Sequence, residues 1–558
     1  MAVNHQGWHE SLLRRINPVW HCELSHNGGR RNIPTAAKIF KSFSIQPHRP
    51  DDLSSKETVM SKNISEGVDH LERSINWKQG LAIALGVPLL ILPSLGYLPM
   101  YMAAAAILVW GLSVIQGFIQ NAAYAEMATT FPKASGLPGF AQHVFRTENY
   151  KGKYDKGKLI GGFSAWSYWF AWNPVLAIFA ILVGGYLHGL FPALAETFTE
   201  FQLSLISGAV IFTGLFIVNW FGLKDGAILG YILAAVSLIP LIILTVAPFA
   251  TGHVDLANIT GNWWPADWVW DMHHVLILFG IFAIAQWSAC GWETAAIYAP
   301  EYKNPSKDVP KALFACGAIC FLSYVLVQAA VIGVLGVEGV MAEPVSPLIP
   351  VAKAVFGEAG SIITIIMLIA AMILIIQTAY LGSSRAMHSM TTEGNLPRVF
   401  GKTNRHGTPF IALLVTAAFN MVLISMGSLA AILAAAAIGY TCANGISLFA
   451  YVKAKKHPAF ANLERPFKAP KGWKHVAMIF GLFNLPLCLI GVVYLNSQEI
   501  GWTSTWLGFL VLSLYIPIWL YSQHESRRRN DEVDAVVSSL DNDSDNDAED
   551  LETVPTSR

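Results

Sequence analysis

One glutamate stands in an apolar part of the chain, where a charge is costly. Glu293 follows Trp287 and Gly291 in the sequence Trp-Ser-Ala-Cys-Gly-Trp-Glu. Because a carboxylate is expensive to hold in hydrocarbon, we expect Glu293 to face a polar cavity and to contact what passes through it. An indole face and a nearby carboxylate can hold an amine, by cation–π attraction and by charge pairing. Trp287 and Glu293 are therefore candidate ligand-binding residues.

A second candidate site would be formed by backbone groups of an apolar segment near the start of the chain. The apolar segment 80–96 contains Pro88, Pro93 and Gly86. Prolines remove backbone hydrogen bonds, and such a gap at membrane depth is tolerated where the backbone lines a cavity. We expect this segment to break near Gly86 and Val87.

The segment ahead of Glu293 shows a weaker form of the same pattern. Small residues occupy positions 288–291, and they include the candidates Ser288, Cys290 and Gly291. Interruptions at corresponding places in two halves of a membrane protein predict one shared midplane site. The alternative is a simple proline kink in the first segment and a packing glycine in the second.

The amino-acid composition indicates the kind of secondary structure that positions these residues. The chain has 558 residues, of which 54% are hydrophobic and 13% charged. So little charge cannot cover a soluble surface of this size. The sequence predicts an all-α polytopic membrane protein, in contact with the lipid bilayer. A formal net charge of zero argues against a nucleic-acid partner.

Twelve membrane spans are predicted, and we number them in chain order. The spans lie near 79–98, 100–130, 162–190, 203–222, 227–250, 272–299, 311–336, 358–382, 408–427, 429–452, 475–495 and 503–522. With the N-terminus inside, the predicted outer loops hold a single lysine or arginine, Lys353. This bias predicts that both termini are cytosolic.

Three regions are predicted along the chain. Residues 1–76 are polar and mixed in charge, and we expect a disordered cytosolic N-terminal tail. The membrane domain covers 77–525, and 526–558 is expected to be an acidic, disordered cytosolic tail. Six scattered cysteines show no paired metal-ligand spacing, so neither a metal nor a cofactor is expected.

Four sequence blocks together resemble the amino acid, polyamine and organocation transporter superfamily, over about residues 77–525. The blocks lie at 124–133, 291–312, 384–409 and 465–470, in order and at family-like spacing. The resemblance implies two inverted five-helix repeats plus two extra helices, with spans 1 and 6 broken. It also implies that a substrate moves by alternating access.

Span 6 is similar to that of the basic amino acid and polyamine exchangers within this superfamily. The resemblance implies that Trp287 stacks on the substrate as a gate. It implies that Glu293 contacts a cationic group or takes part in proton coupling. The alternative is that Glu293 bonds backbone amides and braces the unwound segment.

Span 1 departs from the family. Members with amino-acid substrates usually have Gly-Ser-Gly where this chain has Gly86-Val87-Pro88. Proline supplies no N–H and valine crowds the site, so the usual cradle for a carboxylate is weakened. This departure favours an amine without a carboxylate, such as a polyamine or an amino alcohol.

Other residues carry weaker signals. Tyr380 in span 8 lies one residue from where the similar exchangers place a cavity aromatic, so the resemblance makes it a candidate. Glu126, at the cytosolic end of span 2, is a candidate for gating or proton transfer, although a bracing role fits it better. Arg385 and Asp308 suit intracellular gating or loop contacts. The tryptophans of span 3, including Trp166, Trp169 and Trp172, fit either a packing or lipid-facing stripe or a cavity wall.

The sequence therefore predicts a secondary transporter of amino acids or related amines in the plasma membrane, coupled to protons or to counter-exchange. Sodium coupling stays open, as does pairing into a homodimer. A neutral amino acid permease and a transporter-like sensor are the alternatives. An enzyme would need a nucleophile, a metal cluster or a phosphate loop, and the sequence has no such constellation.

Overall fold

A computed structural model describes most of the membrane domain. The described residues are 73–132, 136–147, 150, 152–261, 263–289, 291–344, 346–460 and 462–552, without the side chains of 190, 223–227 and 530–552. Cys290, one of the predicted site residues, lies outside these ranges. So do residues 1–72 of the predicted N-terminal tail.

Helices account for all twelve predicted spans. Within the described residues, eleven helical stretches are long and apolar enough to cross a membrane, and a shorter apolar helix stands in the place of span 9. In chain order they are Trp77–Ser94, Tyr97–Thr130, Lys156–Gly189, Glu200–Trp220, Ile228–Ala250, Met272–Glu301, Pro305–Ala342, Leu348–Thr392, Phe410–Ser425, Leu429–Lys456, Trp473–Ile500 and Trp502–Arg529. The predicted polytopic all-α fold is confirmed.

Span 1 is interrupted where the prolines and glycine predict it. Its α-helix runs over Trp77–Ala84 and begins with a capping box. The Asn76 side chain accepts from the Gln79 backbone N–H, and the Gln79 side chain accepts from the Asn76 backbone N–H. The chain then leaves the α-helix and continues as a 3₁₀-helix, Val87–Ser94. Pro88 fits the first turn of that helix because its missing N–H would have no helical partner there.

Span 6 changes its helix type at the predicted place. An α-helix covers Met272–Ala289, and a 3₁₀-helix covers Gly291–Glu301. The 3₁₀ form is uncommon in runs this long and often marks a functional segment. Span 3 is also divided, into Lys156–Trp172 and Val175–Leu190, by a turn at Asn173 and Pro174 that the sequence analysis did not predict.

The broken spans sit among the best buried helices. Span 7 packs along span 2, and span 10 packs along span 3. The 3₁₀ half of span 1 contacts spans 6, 7 and 8. Short helices connect the spans, at Gly136–Phe145, Pro192–Thr197, Leu256–Thr260, Arg398–Gly401 and Pro458–Phe460.

Spans 11 and 12 follow this core. Span 11 alternates between α- and π-helix, with π-helical turns at Phe483–Cys488 and Asn496–Ile500. The helix of span 12 runs over Trp502–Glu552 and so continues into the segment predicted as an acidic tail.

Candidate functional site

A tyrosine on span 7 contacts both interrupted helices. The Tyr324 hydroxyl lies 2.8 Å from the carbonyl oxygen of Val87 and 2.7 Å from that of Ser288. Carbonyl groups at an interrupted helix lose their partner in the next turn and need another donor when they are buried. The single hydroxyl hydrogen of Tyr324 is donated to one of these oxygens or shared between them, so this side chain contacts the interruptions of both span 1 and span 6.

Span 8 supplies a second donor to the interruption of span 1. The Thr378 hydroxyl lies 2.6 Å from the carbonyl oxygen of Ile83 and 3.0 Å from that of Leu374. A Cβ at Gly86 would stand 2.3 Å from the Thr378 hydroxyl oxygen, so only glycine permits this close approach. Gly86 therefore brings the interruption within reach of span 8.

Span 3 packs against the start of the 3₁₀ half of span 6. A Cβ at Gly291 would lie 2.6 Å from the outer edge of the Trp172 indole and 3.4 Å from Leu90. The Trp287 indole N–H donates to the carbonyl oxygen of Ala171, 2.8 Å away. Both tryptophans therefore lie where spans 3 and 6 meet, beside span 1.

Glu293 occupies the interior of this arrangement. Its side chain is 1% exposed, and no basic side chain among the described residues pairs with its carboxylate, which the Tyr440 phenol approaches as a hydrogen-bond donor. The phenol groups of Tyr168 on span 3 and Tyr440 on span 10 lie within electrostatic range of the carboxyl group. Its neighbour Trp292 packs on another side, with its ring edge-on to Phe118 of span 2 at 4.4 Å.

Tyr380 is also fully buried. Its hydroxyl group has no hydrogen-bond partner in the part of the chain that the structure describes. Its ring lies 6.5 Å from the ring of Phe212 on span 4, so it belongs to the interface of spans 4 and 8.

The end of span 6 is closed by a buried ion pair. Glu301 and Arg385 of span 8 are 3.0 Å apart, and both side chains are almost fully buried. The carbonyl oxygen of Glu301 accepts from the backbone of Ser74 and Ile75, just before span 1. Arg385 thus connects span 8 to the end of span 6, whose backbone also accepts hydrogen bonds from the residues just before span 1.

Glu301 is not among the residues predicted from the sequence, whereas Arg385 and Asp308 are. Asp308 instead accepts from the backbone N–H of Asn304 at 3.1 Å, at the start of span 7. The available signal was a second acid, Glu301, only eight residues after Glu293.

Glu126 holds the loop that follows span 10. One carboxylate oxygen accepts from Lys455 at 2.7 Å and from Arg465 at 2.8 Å. The other accepts from the Tyr451 hydroxyl and the Ala469 backbone, each at 3.0 Å. All of these contacts are with span 10 and its loop.

Two of the span 3 tryptophans lie away from Glu293. The rings of Trp166 and Trp169 stack at 4.5 Å, and the Trp166 N–H donates to the carbonyl oxygen of Val511 on span 12. They line an apolar cavity between spans 3, 9 and 12. Span 3 thus presents Tyr168 and Trp172 toward spans 6 and 10 and this pair toward span 12.

A larger cavity of about 730 Å³ lies where the outer ends of spans 3, 4, 8 and 10 meet under the predicted orientation. Tyr186, Glu200, Glu343 and Lys353 are among its lining residues. Within span 8, the cavity lies toward the beginning of the helix and Arg385, with its partner Glu301, toward the end.

One family model and several known proteins match this chain. The family model described as amino acid permease matches residues 75–515. The chain is 25% identical over 301 residues to an uncharacterized transporter of Legionella pneumophila, covering 52% of this chain and 60% of that protein. It is also 25% identical over 370 residues to an uncharacterized amino acid permease of Bacillus subtilis, covering 64% of this chain and 78% of the relative. A probable polyamine transporter of Arabidopsis thaliana is 25% identical over 404 residues, with coverages of 69% and 72%.

Proposed function

We propose, on the premise that the chain belongs to the amino acid permease family, that it is a secondary active transporter in which Glu293 binds alternately a proton and the positively charged group of the substrate. Family membership and the apolar helices make the chain a multi-pass membrane transporter. The substrate class, the coupling and the role of Glu293 are the proposal.

The buried Glu293 carboxyl group carries the argument. A carboxylate without a counter-ion is strongly destabilising in a membrane interior, even where a phenol approaches it. The phenols of Tyr168 and Tyr440 that lie near it carry no positive charge. The buried Arg385 is paired with Glu301 instead. Protonation or a bound cation would neutralise Glu293.

These two neutral states define a transport cycle. When the site opens to one side, the ammonium group of a substrate binds the Glu293 carboxylate and the proton leaves to solvent. When the site opens to the other side, the substrate leaves and a proton returns to the carboxylate. The net result is exchange of an amine for a proton, or of one amine for another. Trp287 and Tyr168 provide aromatic surface next to the ammonium group.

The interruption of span 1 supports an amine that lacks a carboxylate. Pro88 has no N–H to offer a substrate carboxylate. The Val87 carbonyl oxygen, held by Tyr324, is an acceptor and suits a cation rather than an anion. A polyamine transporter is also among the relatives of this chain. We therefore favour diamines, polyamines and amino alcohols over amino acids.

The charge bias suggests the orientation. We propose that the protein lies in the plasma membrane with both termini in the cytosol, because lysine and arginine collect in the loops on one side. The ion pair of Glu301 and Arg385 then closes the cytosolic side in this conformation.

Uptake into liposomes tests the substrate and the coupling. Purified protein should take up a labelled diamine or polyamine, and an acidic lumen or internal unlabelled amine should stimulate this uptake. Uptake of a neutral amino acid alone would replace the proposal with a neutral amino acid permease. Absence of uptake for all amines and amino acids, in each gradient, would favour a sensor.

A substitution tests Glu293 itself. Glu293→Gln should reduce amine uptake at least tenfold, since a hydrogen bond to a charged group contributes about 1.5–3 kcal/mol. In the unsubstituted protein, amine binding measured by thermal shift should weaken as the pH falls, because protons compete for the carboxylate. Glu464→Gln, in an exposed loop position, is the matched control and should leave both properties unchanged. Equal kinetics and an unchanged pH profile in Glu293→Gln would remove Glu293 from the mechanism.

A further inference from the structure

The loop 251–271, between spans 5 and 6, is tied to the end of span 7. It contains the short helix Leu256–Thr260. The backbone N–H of Asp255 and the side-chain amide of Asn258 both donate to the carbonyl oxygen of Gly333, at 2.9 and 3.0 Å. The charge bias of the sequence predicts that this loop lies outside, so both donors meet the outer end of span 7.

Span 7 accepts these hydrogen bonds close to an interruption of its own helix. Gly336 has a φ of 67° and a ψ of 170°, a backbone conformation that favours glycine. Carbonyl groups in the turn before such an interruption lose their usual helical donors and need others where they are buried. Gly333 is buried, and a Cβ there would stand 2.7 Å from a methyl carbon of Val254. The loop therefore caps this helix end in close contact.

The same loop is tied to the junction of spans 1 and 2. The carbonyl oxygen of Trp263 accepts from the backbone N–H of Ala105 at 2.7 Å. Ala105 ends a 3₁₀ turn that begins at Ala103, and the φ of Ala103 is 47°, a value that alanine rarely adopts. Strained backbone of this kind persists where its surroundings hold it. The loop is one of the contacts that hold this turn.

The remaining part of the loop packs onto span 6. The ring of Trp268 stacks on that of Trp264 at 4.9 Å and lies edge-on to His274, in the first turn of span 6, at 5.0 Å. His274 is also 2.8 Å from the carboxylate of Asp271. Little free chain is left between span 6 and the tied part of the loop. The outer end of span 6 therefore cannot move far while the loop stays in place.

We propose that this loop is a latch, closed in this structure, that must leave Gly333 when the site opens to the outside. Alternating access moves one group of helices, with its broken spans, against the other. Span 7 carries Tyr324, which contacts both interruptions and is about 13.5 Å along the helix from Gly333, at 1.5 Å per residue. The closed latch holds this helix to the loop that leads into span 6. The inference rests on the proposed alternating access, and not on Glu293 or on the identity of the substrate.

A reversible disulfide between the loop and span 7 tests the latch. The Val254 methyl carbon that faces Gly333 is one bond from the Val254 Cβ, so cysteines at both positions come close to the roughly 3.8 Å between Cβ atoms that a disulfide needs. In liposomes, the oxidised double variant Val254→Cys and Gly333→Cys should lose roughly nine-tenths of its diamine uptake, because the latch cannot open. Reduction should restore the uptake. The original protein, treated with the same oxidant, controls for its own cysteines.

The outcomes separate the latch from the proposed substrate. Uptake by the reduced double variant tests the transport function, and its loss on oxidation tests the latch. A disulfide that forms fully and leaves uptake unchanged overturns the latch. Failure of the two cysteines to join under oxidant also overturns it, since the loop then does not lie on span 7. If the original protein takes up no amine, the proposed substrate is wrong, and thiol labelling decides on the latch.

Thiol labelling in detergent needs no transport substrate. Ile259 is half-buried, with its terminal methyl carbon 3.4 Å from the Cβ position of Gly333, whereas Leu256 of the same short helix is 68% exposed. A maleimide should label Ile259→Cys roughly tenfold more slowly than Leu256→Cys, because it reaches the first thiol only while the latch is open. Equal labelling rates would show that the loop does not rest on span 7, and would overturn the proposal.

Discussion

The hydroxyl oxygen of Tyr324 lies 2.7 Å from the carbonyl oxygen of Ser288, next to the end of the α-helical half of span 6. The same hydroxyl group reaches span 1, 2.8 Å from the carbonyl oxygen of Val87. One side chain on span 7 therefore serves both interrupted helices. A movement of either helix that opens the site must lengthen or exchange one of these hydrogen bonds.

We expect Tyr324→Phe to destabilise the protein by about 1–3 kcal/mol, because it removes the one hydrogen-bond donor that two buried carbonyl groups share. The ring is retained, so the change removes the hydroxyl alone. Thermal unfolding measures the loss, and liposome uptake should fall with it. Tyr494→Phe is the control. The Tyr494 hydroxyl group contacts the exposed His273 at 2.9 Å and is not hydrogen-bonded to either interruption. If both variants unfold at the temperature of the original protein, Tyr324 does not hold the interruptions.

Thr378→Val should impair transport because it disturbs the interruption of span 1. Valine has the shape of threonine but cannot donate to the Ile83 carbonyl oxygen, which Thr378 approaches to 2.6 Å. A loss of about 1–2 kcal/mol of stability is expected, with reduced uptake. Thr378→Ser keeps the hydroxyl group and should recover most of both.

Thr364→Val is the matched control for that prediction. Thr364 is a buried residue of the same span, and its hydroxyl group donates to Gly360 of its own helix at 2.8 Å. Its loss should leave uptake near the original rate. An equal effect of the two valine substitutions would show that the hydroxyl groups of span 8 act locally, and would contradict a special role of Thr378.

The sequence predicts the interruptions because their cause is local. Pro88, Pro93 and Gly86 alter the backbone hydrogen bonding of their own helix, and hydrophobicity over about twenty residues places the spans. The third interruption, in span 3 at Asn173 and Pro174, is not predicted from the sequence. A single proline is compatible with a continuous membrane helix, whereas span 1 combines two prolines with a glycine.

The donors at the interruptions could not be predicted in the same way. Tyr324 and Val87 are separated by 237 positions, and Thr378 and Ile83 by 295. A single tyrosine or threonine in an apolar helix carries no local pattern that identifies its partner. Only the packing of spans 7 and 8 against span 1 brings these groups together. Glu293 was identifiable because its charge is anomalous in its own segment.

Gly291→Ala should weaken the junction of spans 3 and 6. The new methyl group would stand 2.6 Å from the Trp172 indole, so the helices must shift, at a cost of about 1–3 kcal/mol. Trp172→Phe removes the part of the ring that clashes. The double variant should therefore unfold at a higher temperature than Gly291→Ala alone. If Trp172→Phe lowers the Tm equally with and without the alanine, the two positions are independent and the contact does not limit the fold.

The ion pair of Glu301 and Arg385 should respond to a double-mutant cycle. Either Glu301→Gln or Arg385→Met leaves a buried partner without its counter-charge, which costs about 3–5 kcal/mol. The double substitution removes both charges and should cost less than the sum of the single changes. Thermal unfolding of the four proteins measures the coupling. The exposed pair of Lys353 and Glu358, 2.5 Å apart, is the control, and Glu358→Gln should leave the Tm almost unchanged because solvent screens this pair. Additive losses at Glu301 and Arg385 would mean that the two residues do not stabilise the closed end as a pair, and that the backbone bonds of Ser74 and Ile75 to Glu301 hold it instead.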